Sequence, residues 1–104
     1  MAKVKLASGI CGFSTTITTT CDDGQNVAIS YESECSHVLK AKDDLTLVDA
    51  LQELFKKPAD TAVYAALSPH LPHVTCPLYS GFLKAIEVAA GMALPKDVSM
   101  TIEK

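Results

Sequence analysis

The chain has 104 residues, of which 48% are apolar and 6% aromatic, and its formal net charge is −3. This length is typical of one domain, so we expect residues 1–104 to form a single domain whose core needs no disulfides. The acidic balance and the lack of a polybasic run argue against nucleic acid and anionic membranes as partners. No apolar stretch approaches the roughly 18 residues that span a bilayer.

The redox state of the cysteines depends on where the protein resides. The segment Met1 to Leu6 carries two lysines without a following apolar region, so it does not resemble a secretory signal. We therefore expect a cytoplasmic protein whose four cysteines are reduced. Disulfide pairing stays an alternative, because four cysteines allow three connectivities.

The first third of the chain has the pattern of a β-sheet. Residues 13–20 are rich in β-branched side chains, and residues 27–31 alternate between apolar and small residues. Residues 22–25, between them, include Gly24 and supply turn chemistry. This pattern predicts a β-hairpin, with a further strand at residues 4–6.

Helical patterns dominate after Cys35. Residues 36–42 favour a short helix, and Asp60 is expected to cap another that runs to Leu67. A third helix is predicted to begin near Leu47, capped by Thr46, with one buried stripe of apolar side chains. The members of this stripe are Leu47, Ala50, Leu51, Leu54 and Phe55.

The clearest helix follows Pro77 and ends at Gly91 or Pro95, and residues 98–102 alternate like a final strand of the sheet. The predicted fold is therefore α+β, with a small antiparallel sheet of three to four strands and helices packed on one face.

Three of the four cysteines are expected at the ends of structural elements, where binding sites are commonly built. Cys76 precedes the strongest helix and Cys35 precedes a shorter one, and free N–H groups at helix starts favour thiolates. Cys11 lies in a loop beside Gly12, where the backbone can approach a ligand closely. Cys21 adjoins Asp22 and Asp23, whose charges disfavour a thiolate. A buried free cysteine is otherwise often only a small hydrophobic residue.

The order of these elements resembles the IscU/NifU-type family of iron–sulfur cluster scaffolds. Over residues 8–90, five segments carry the resemblance. They are Ile10-Cys11-Gly12, Glu34-Cys35-Ser36, Leu47-Val48-Asp49-Ala50-Leu51, Leu71-Pro72-His73-Val74-Thr75-Cys76 and Phe82-Leu83-Lys84-Ala85-Ile86-Glu87. The resemblance implies an IscU/NifU-like fold in which Cys11, Cys35 and Cys76 hold an iron–sulfur cluster. It also implies a cysteine desulfurase or a cluster-accepting protein as a partner, and it leaves open whether the chain forms oligomers.

The sequence departs from this family in several places, and the segment between the second Cys and the helix predicted near Leu47 is about two turns shorter. Phe13 replaces the Asp that the family associates with cluster lability, and Ser36 replaces a Gly. Thr75 replaces the His before the third cysteine, and the Lys of the chaperone-recognition segment is absent. These departures favour a relative that holds a cluster or a metal over one that hands clusters on.

A tetrahedral site needs a fourth ligand, and His73, three residues before Cys76, is the main candidate. His37, an external ligand or a second subunit are alternatives, and His70 is expected to face solvent. Zinc accepts the same ligand types, so it is the alternative to an iron–sulfur cluster.

We expect a binding protein and not an enzyme, because neither a nucleophile elbow nor a phosphate loop is present. Two further readings remain: an interaction module without metal, and a thiol enzyme using Cys76 and His73. Tyr79-Ser80-Gly81 is expected to be an exposed first helical turn.

Overall fold

A four-stranded antiparallel sheet forms the centre of the molecule in the computed structural model, which describes residues 1–104. The strands neighbour one another in chain order, as a meander: β1 (Ala2–Ala7), β2 (Ser14–Thr20), β3 (Asn26–Ser33) and β4 (Leu47–Asp49). The predicted hairpin is confirmed as β2 and β3, which pair with Ile17 opposite Tyr31. The third predicted strand is confirmed as β1.

The sheet buries one face and leaves the other in solvent. Thr15, Ile17 and Thr19 are buried along β2, and Val27 and Ile29 continue the same alternation along β3. The residues between them point to the open face.

Four helices complete the fold: α1 (Ser36–Leu39), α2 (Ala50–Glu53), α3 (Ala62–Leu67) and α4 (Leu78–Ala89). Two 3-10 turns lie at Lys42–Asp44 and Pro58–Asp60. The α+β class with a small antiparallel sheet is confirmed. No helix combines the length and apolar composition needed to cross a bilayer.

The longest helix, α4, packs against β1 and β2 and closes the core. Gly81 allows this close approach, because an added Cβ there would lie 2.8 Å from Leu6 Cδ1. Thr19 Oγ1 donates a hydrogen bond of 2.8 Å to the Ala85 carbonyl, so its buried hydroxyl is satisfied. Helix α4 therefore runs antiparallel to β1, with its first turns beside Leu6 and later turns beside Thr19, which pairs with Ala2.

The helix predicted to begin near Leu47 is wrong. Residues 47–49 form the edge strand β4, whose Val48 pairs with Val27. The cap is Asp49, which accepts from the backbone N–H groups of Leu51 and Gln52, and the helix that it starts has only four residues. The buried stripe therefore does not form: Leu47, Leu51 and Phe55 are exposed, Leu54 is half-buried and Ala50 is buried.

The cap expected at Asp60 is also shifted. Asp60 belongs to a 3-10 turn, and Thr61 Oγ1 instead accepts from the Tyr64 N–H at 3.2 Å. The side chain of Glu53, 3% exposed, accepts from the N–H groups of Ala62 and Val63 at 2.6 and 3.1 Å. A buried carboxylate thus satisfies the start of α3.

The predicted strand at residues 98–102 is absent. Residues 92–104 form no helix or strand, and Val98, Met100 and Ile102 are exposed. Gly91, with φ of 77°, ends the preceding helical segment as expected from sequence.

Candidate metal centre

One end of the sheet carries the loop that holds Cys11. This loop joins the end of β1 to the start of β2, and Ser8 N donates to the Phe13 carbonyl across its base. Inside it, Gly12 takes φ of 73° and its N–H donates to the Gly9 carbonyl at 2.9 Å. Glycine is favoured at such a positive φ, and the resulting tight turn leaves the Cys11 thiol exposed.

Cys35 lies at the same end, because β3 runs antiparallel to β2 and ends beside its start. Thr15 pairs with Ser33, and Glu34 N donates to the Ser14 carbonyl at 3.0 Å. Cys35 has extended backbone angles and is the residue before α1, while its own N–H donates to Ser33 Oγ. Its thiol is half-buried.

Helix α4 brings Cys76 to this end as well. Because Gly81 lies against Leu6, near the end of β1, the start of α4 lies near the loop of Cys11. Burial raises the pKa of the Cys76 thiol, and the thiolate charges of Cys35 and Cys11 raise it further. Three cysteines from distant segments are therefore close enough for their charges to interact.

The expectation of a lowered pKa at this helix start is wrong for Cys76. The hydrogen bond from the Leu78 N–H does lower the pKa, as the sequence suggested. The half-buried position of the thiol has the larger effect, because burial penalises the charged form. The Cys76 thiol therefore stays neutral to a higher pH than an ordinary cysteine does.

Cys21 lies at the opposite end of the sheet, in the turn between β2 and β3. Its Sγ donates to Asp23 Oδ1 at 3.7 Å. The same carboxylate accepts from the N–H groups of Gln25 and Asn26 at 2.9 and 2.8 Å, and from Asn26 Nδ2. These bonds lower the pKa of Asp23 to about 2. The strand topology therefore separates Cys21 from the other three cysteines.

The three histidines do not complete an enclosed metal site with these cysteines. The Cys76 N–H donates to the His73 carbonyl at 3.2 Å, so the backbone turns between these two residues, and the His73 side chain is exposed. His37 is exposed on α1, and His70 is half-buried in the preceding turn. No three Cys, His, Asp or Glu side chains lie close enough to enclose an ion as they stand.

The donor types nevertheless suit a soft metal site. All four cysteines are free, and those at this end are exposed or half-buried, so that their sulfurs are accessible. The assignment of Cys11, Cys35, Cys76 and His73 as ligands stays a prediction.

Sequence reasoning missed the aromatic pair beside Cys76. The Tyr79 and Tyr64 rings stack with centroids 4.3 Å apart, and Tyr79 is 7% exposed. Burial, followed by the charge of Cys76, raises the pKa of Tyr79. The exposed turn expected at Tyr79-Ser80-Gly81 is therefore wrong, except for Ser80, because Tyr79 and Gly81 face the core. The spacing of Tyr79 from Phe82 and Ile86 was the available signal.

The chain belongs to DUF6951, a family of unknown function, which it matches over residues 2–102. No curated protein and no solved structure matches it.

Proposed function

We propose that this member of DUF6951 binds an iron–sulfur cluster or a metal ion through the thiolates of Cys11, Cys35 and Cys76. One observation carries the proposal. Three of the four cysteines lie at one end of the sheet with interacting charges, while Cys21 lies at the other end. Hydrophobic packing alone gives no reason for three thiols from distant segments to lie at the same partly exposed end of the sheet.

The three positions differ in what they contribute. Cys11 lies on a glycine turn that is open to solvent, so its thiol can adjust toward a ligand. Cys35 directly precedes α1 and Cys76 lies two residues before α4, so the helix starts restrict their backbones. An iron–sulfur cluster would supply electron-transfer or sulfide-transfer chemistry here, whereas zinc would supply structural stabilisation or Lewis acidity.

Proton release accompanies this binding. Metal ligation requires deprotonated thiols, and the raised pKa of Cys76 keeps its Sγ protonated at neutral pH. Cys76 must therefore lose a proton when it becomes a ligand, and affinity rises with pH. His73, whose loop leads into Cys76, is the proposed fourth ligand.

The resemblance to the IscU/NifU family favours the cluster over zinc. If the cluster is a cargo, a cysteine desulfurase or a cluster-accepting protein is the partner that this end would meet. Phe13 stands where the family has an Asp linked to cluster release, so we propose that this chain holds its cluster more firmly.

The test is a count of iron, sulfide and zinc on protein purified without air, before and after reconstitution with iron and sulfide. We expect a charge-transfer absorption band and bound iron in the wild type and in Cys21→Ser, the matched control. Cys11→Ser, Cys35→Ser and Cys76→Ser should each lose most of the bound metal. Metal retained by Cys76→Ser and lost by Cys21→Ser would show that the ligand assignment is wrong.

A second candidate is a protein-interaction module that binds no metal. Exposed apolar side chains flank the thiols, since Ile10 precedes Cys11 and Val74 lies two residues before Cys76, and both are fully or almost fully exposed. Such side chains fit a protein partner. Wild-type protein with no iron, no zinc and four titratable thiols would favour this candidate over the first.

A further inference from the structure

Residues 98–102 have the sequence of a strand but no strand to pair with. Val98, Met100 and Ile102 alternate with Ser99 and Thr101, and the three apolar side chains are 71%, 80% and 85% exposed. No backbone hydrogen bond involves any residue from 93 to 104. An alternating segment that exposes its apolar side is typical of a strand whose partner is missing.

The sheet has a free edge of matching character at β1. This strand pairs only with β2, so the backbone groups on its other side are unpaired. Val4 and Leu6 point to the core side and are half-buried, whereas Lys3 and Lys5 point to the open face. The other edge strand, β4, has only three residues and is a shorter template.

We propose that residues 98–102 of one copy of this chain add to β1 of a second copy as an antiparallel fifth strand. In the register that places Ile102 opposite Val4, Met100 lies opposite Leu6, and all four apolar side chains share the core side. On the open face of the sheet, this register places Glu103 opposite Lys3. Opposite charges on directly paired residues stabilise antiparallel strands.

The charges also argue against the simplest alternative dimer. Direct pairing of β1 with β1 of a second copy, with Lys3 opposite Lys5, would place like charges opposite each other on the open face. The lysines therefore disfavour that dimer and suit a strand that carries an acid. Reciprocal exchange of the two segments gives a closed, two-fold symmetric pair.

The chain direction argues against antiparallel addition of this segment to β1 of the same copy. Helix α4 ends near Ala2, because its later turns lie beside Thr19, the residue that pairs with Ala2. Antiparallel addition within one copy would require residues 92–97 to run the whole length of β1, about 20 Å, and then reverse. Six residues including Pro95 span about 20 Å only when fully extended, which leaves no length for the turn.

The test measures molar mass by light scattering across a concentration series, for the full chain and for variants outside the core. We expect a dimer that Met100→Glu weakens about tenfold or more, because the acid would lie on the buried side. Thr101→Glu is the matched control: it adds the same charge on the open face, near Lys5, and should leave dimerisation unchanged or tighter.

Exchanging the charges of Lys3 and Glu103 tests the proposed register. Lys3→Glu and Glu103→Lys should each weaken the dimer, and the double variant should restore it. Hydrogen exchange should show protected amides in residues 98–102 only at concentrations where the dimer forms.

Three outcomes would overturn the proposal. A chain that stays monomeric with unprotected residues 98–102 has no such strand, and one that stays monomeric with protected residues pairs within itself. A dimer that tolerates Met100→Glu uses another surface.

Discussion

The loops at the two ends of the sheet differ in how their polar side chains are satisfied. At the β2–β3 turn, the Asp23 carboxylate takes hydrogen bonds from two backbone N–H groups, one amide side chain and the Cys21 thiol, so this end is satisfied internally. At the other end, the three-thiol end formed by Cys11, Cys35 and Cys76, burial raises the pKa of Cys76 and the charges of Cys35 and Cys11 raise it further. One end stabilises the hairpin, and the other retains unused donors. The difference teaches that the cysteine position, not the cysteine count, separates structural from candidate binding thiols.

The largest expected difference between the two ends is the effect of metal binding on the free energy of unfolding. If only the three-thiol end binds, iron or zinc at a hundred times its dissociation constant should raise the free energy of unfolding by about 2.7 kcal/mol. Wild type and Cys21→Ser should show this rise in anaerobic urea denaturation, and Cys76→Ser should not. An equal rise in all three proteins would place binding elsewhere.

Removal of the Glu53 charge should destabilise the start of α3, which packs against α4. Glu53→Gln replaces one of the two acceptors at the start of α3 by an N–H donor, which leaves a backbone N–H without its partner. We expect a loss of about 2 kcal/mol in the free energy of unfolding by urea. The control Glu32→Gln, on the open face of the sheet, should change it by less than about 0.5 kcal/mol.

A smaller loss is expected where α1 is tied to the sheet. The Tyr31 hydroxyl donates to the Val38 carbonyl at 2.8 Å, and burial, with the charges of Asp43 and Asp44, raises the pKa of Tyr31 to about 12. Tyr31→Phe should reduce the free energy of unfolding by about 1 kcal/mol. A loss as large as that of Glu53→Gln would mean that the ring also moves.

The smallest effect concerns the other end and depends on pH. The folded pKa of Asp23 is about 2, below its ordinary value of 3.8, so its contribution to stability is complete above pH 3.8. That contribution falls as the pH is lowered from 3.8 toward 2. The stability difference between wild type and Asp23→Asn should therefore shrink across this window in acid denaturation. A constant difference would show that the carboxylate is not held by these bonds.

Local patterns predicted the hairpin, and long-range packing decided the elements that sequence reasoning got wrong. Residues 27–31 alternate cleanly, and the sheet keeps that alternation. Leu47-Val48 fits either a helix or a strand, and the free edge of β3 decides for a strand: Ile29 N donates to the Thr46 carbonyl. Only the tertiary structure supplies that edge.

In the candidate site, too, the order of elements predicted some features and tertiary packing decided the others. Antiparallel strands return to the same end, so the order of elements was enough to expect Cys11 and Cys35 near each other. The direction of α4 across β1 then places Cys76. The pKa of Cys76 could not be predicted, because it depends on burial that no local pattern records.

The sheet is a meander of sequence neighbours, whereas Cys76 reaches its place only when α4 docks on β1 and β2. Undocking of this helix as one cooperative unit would carry Cys76 away from Cys11 and Cys35 while the hairpins stay paired. If this end binds an ion as proposed, such a partial opening would let the ion leave without global unfolding. The opening rate of the helix would then set the residence time of the ion.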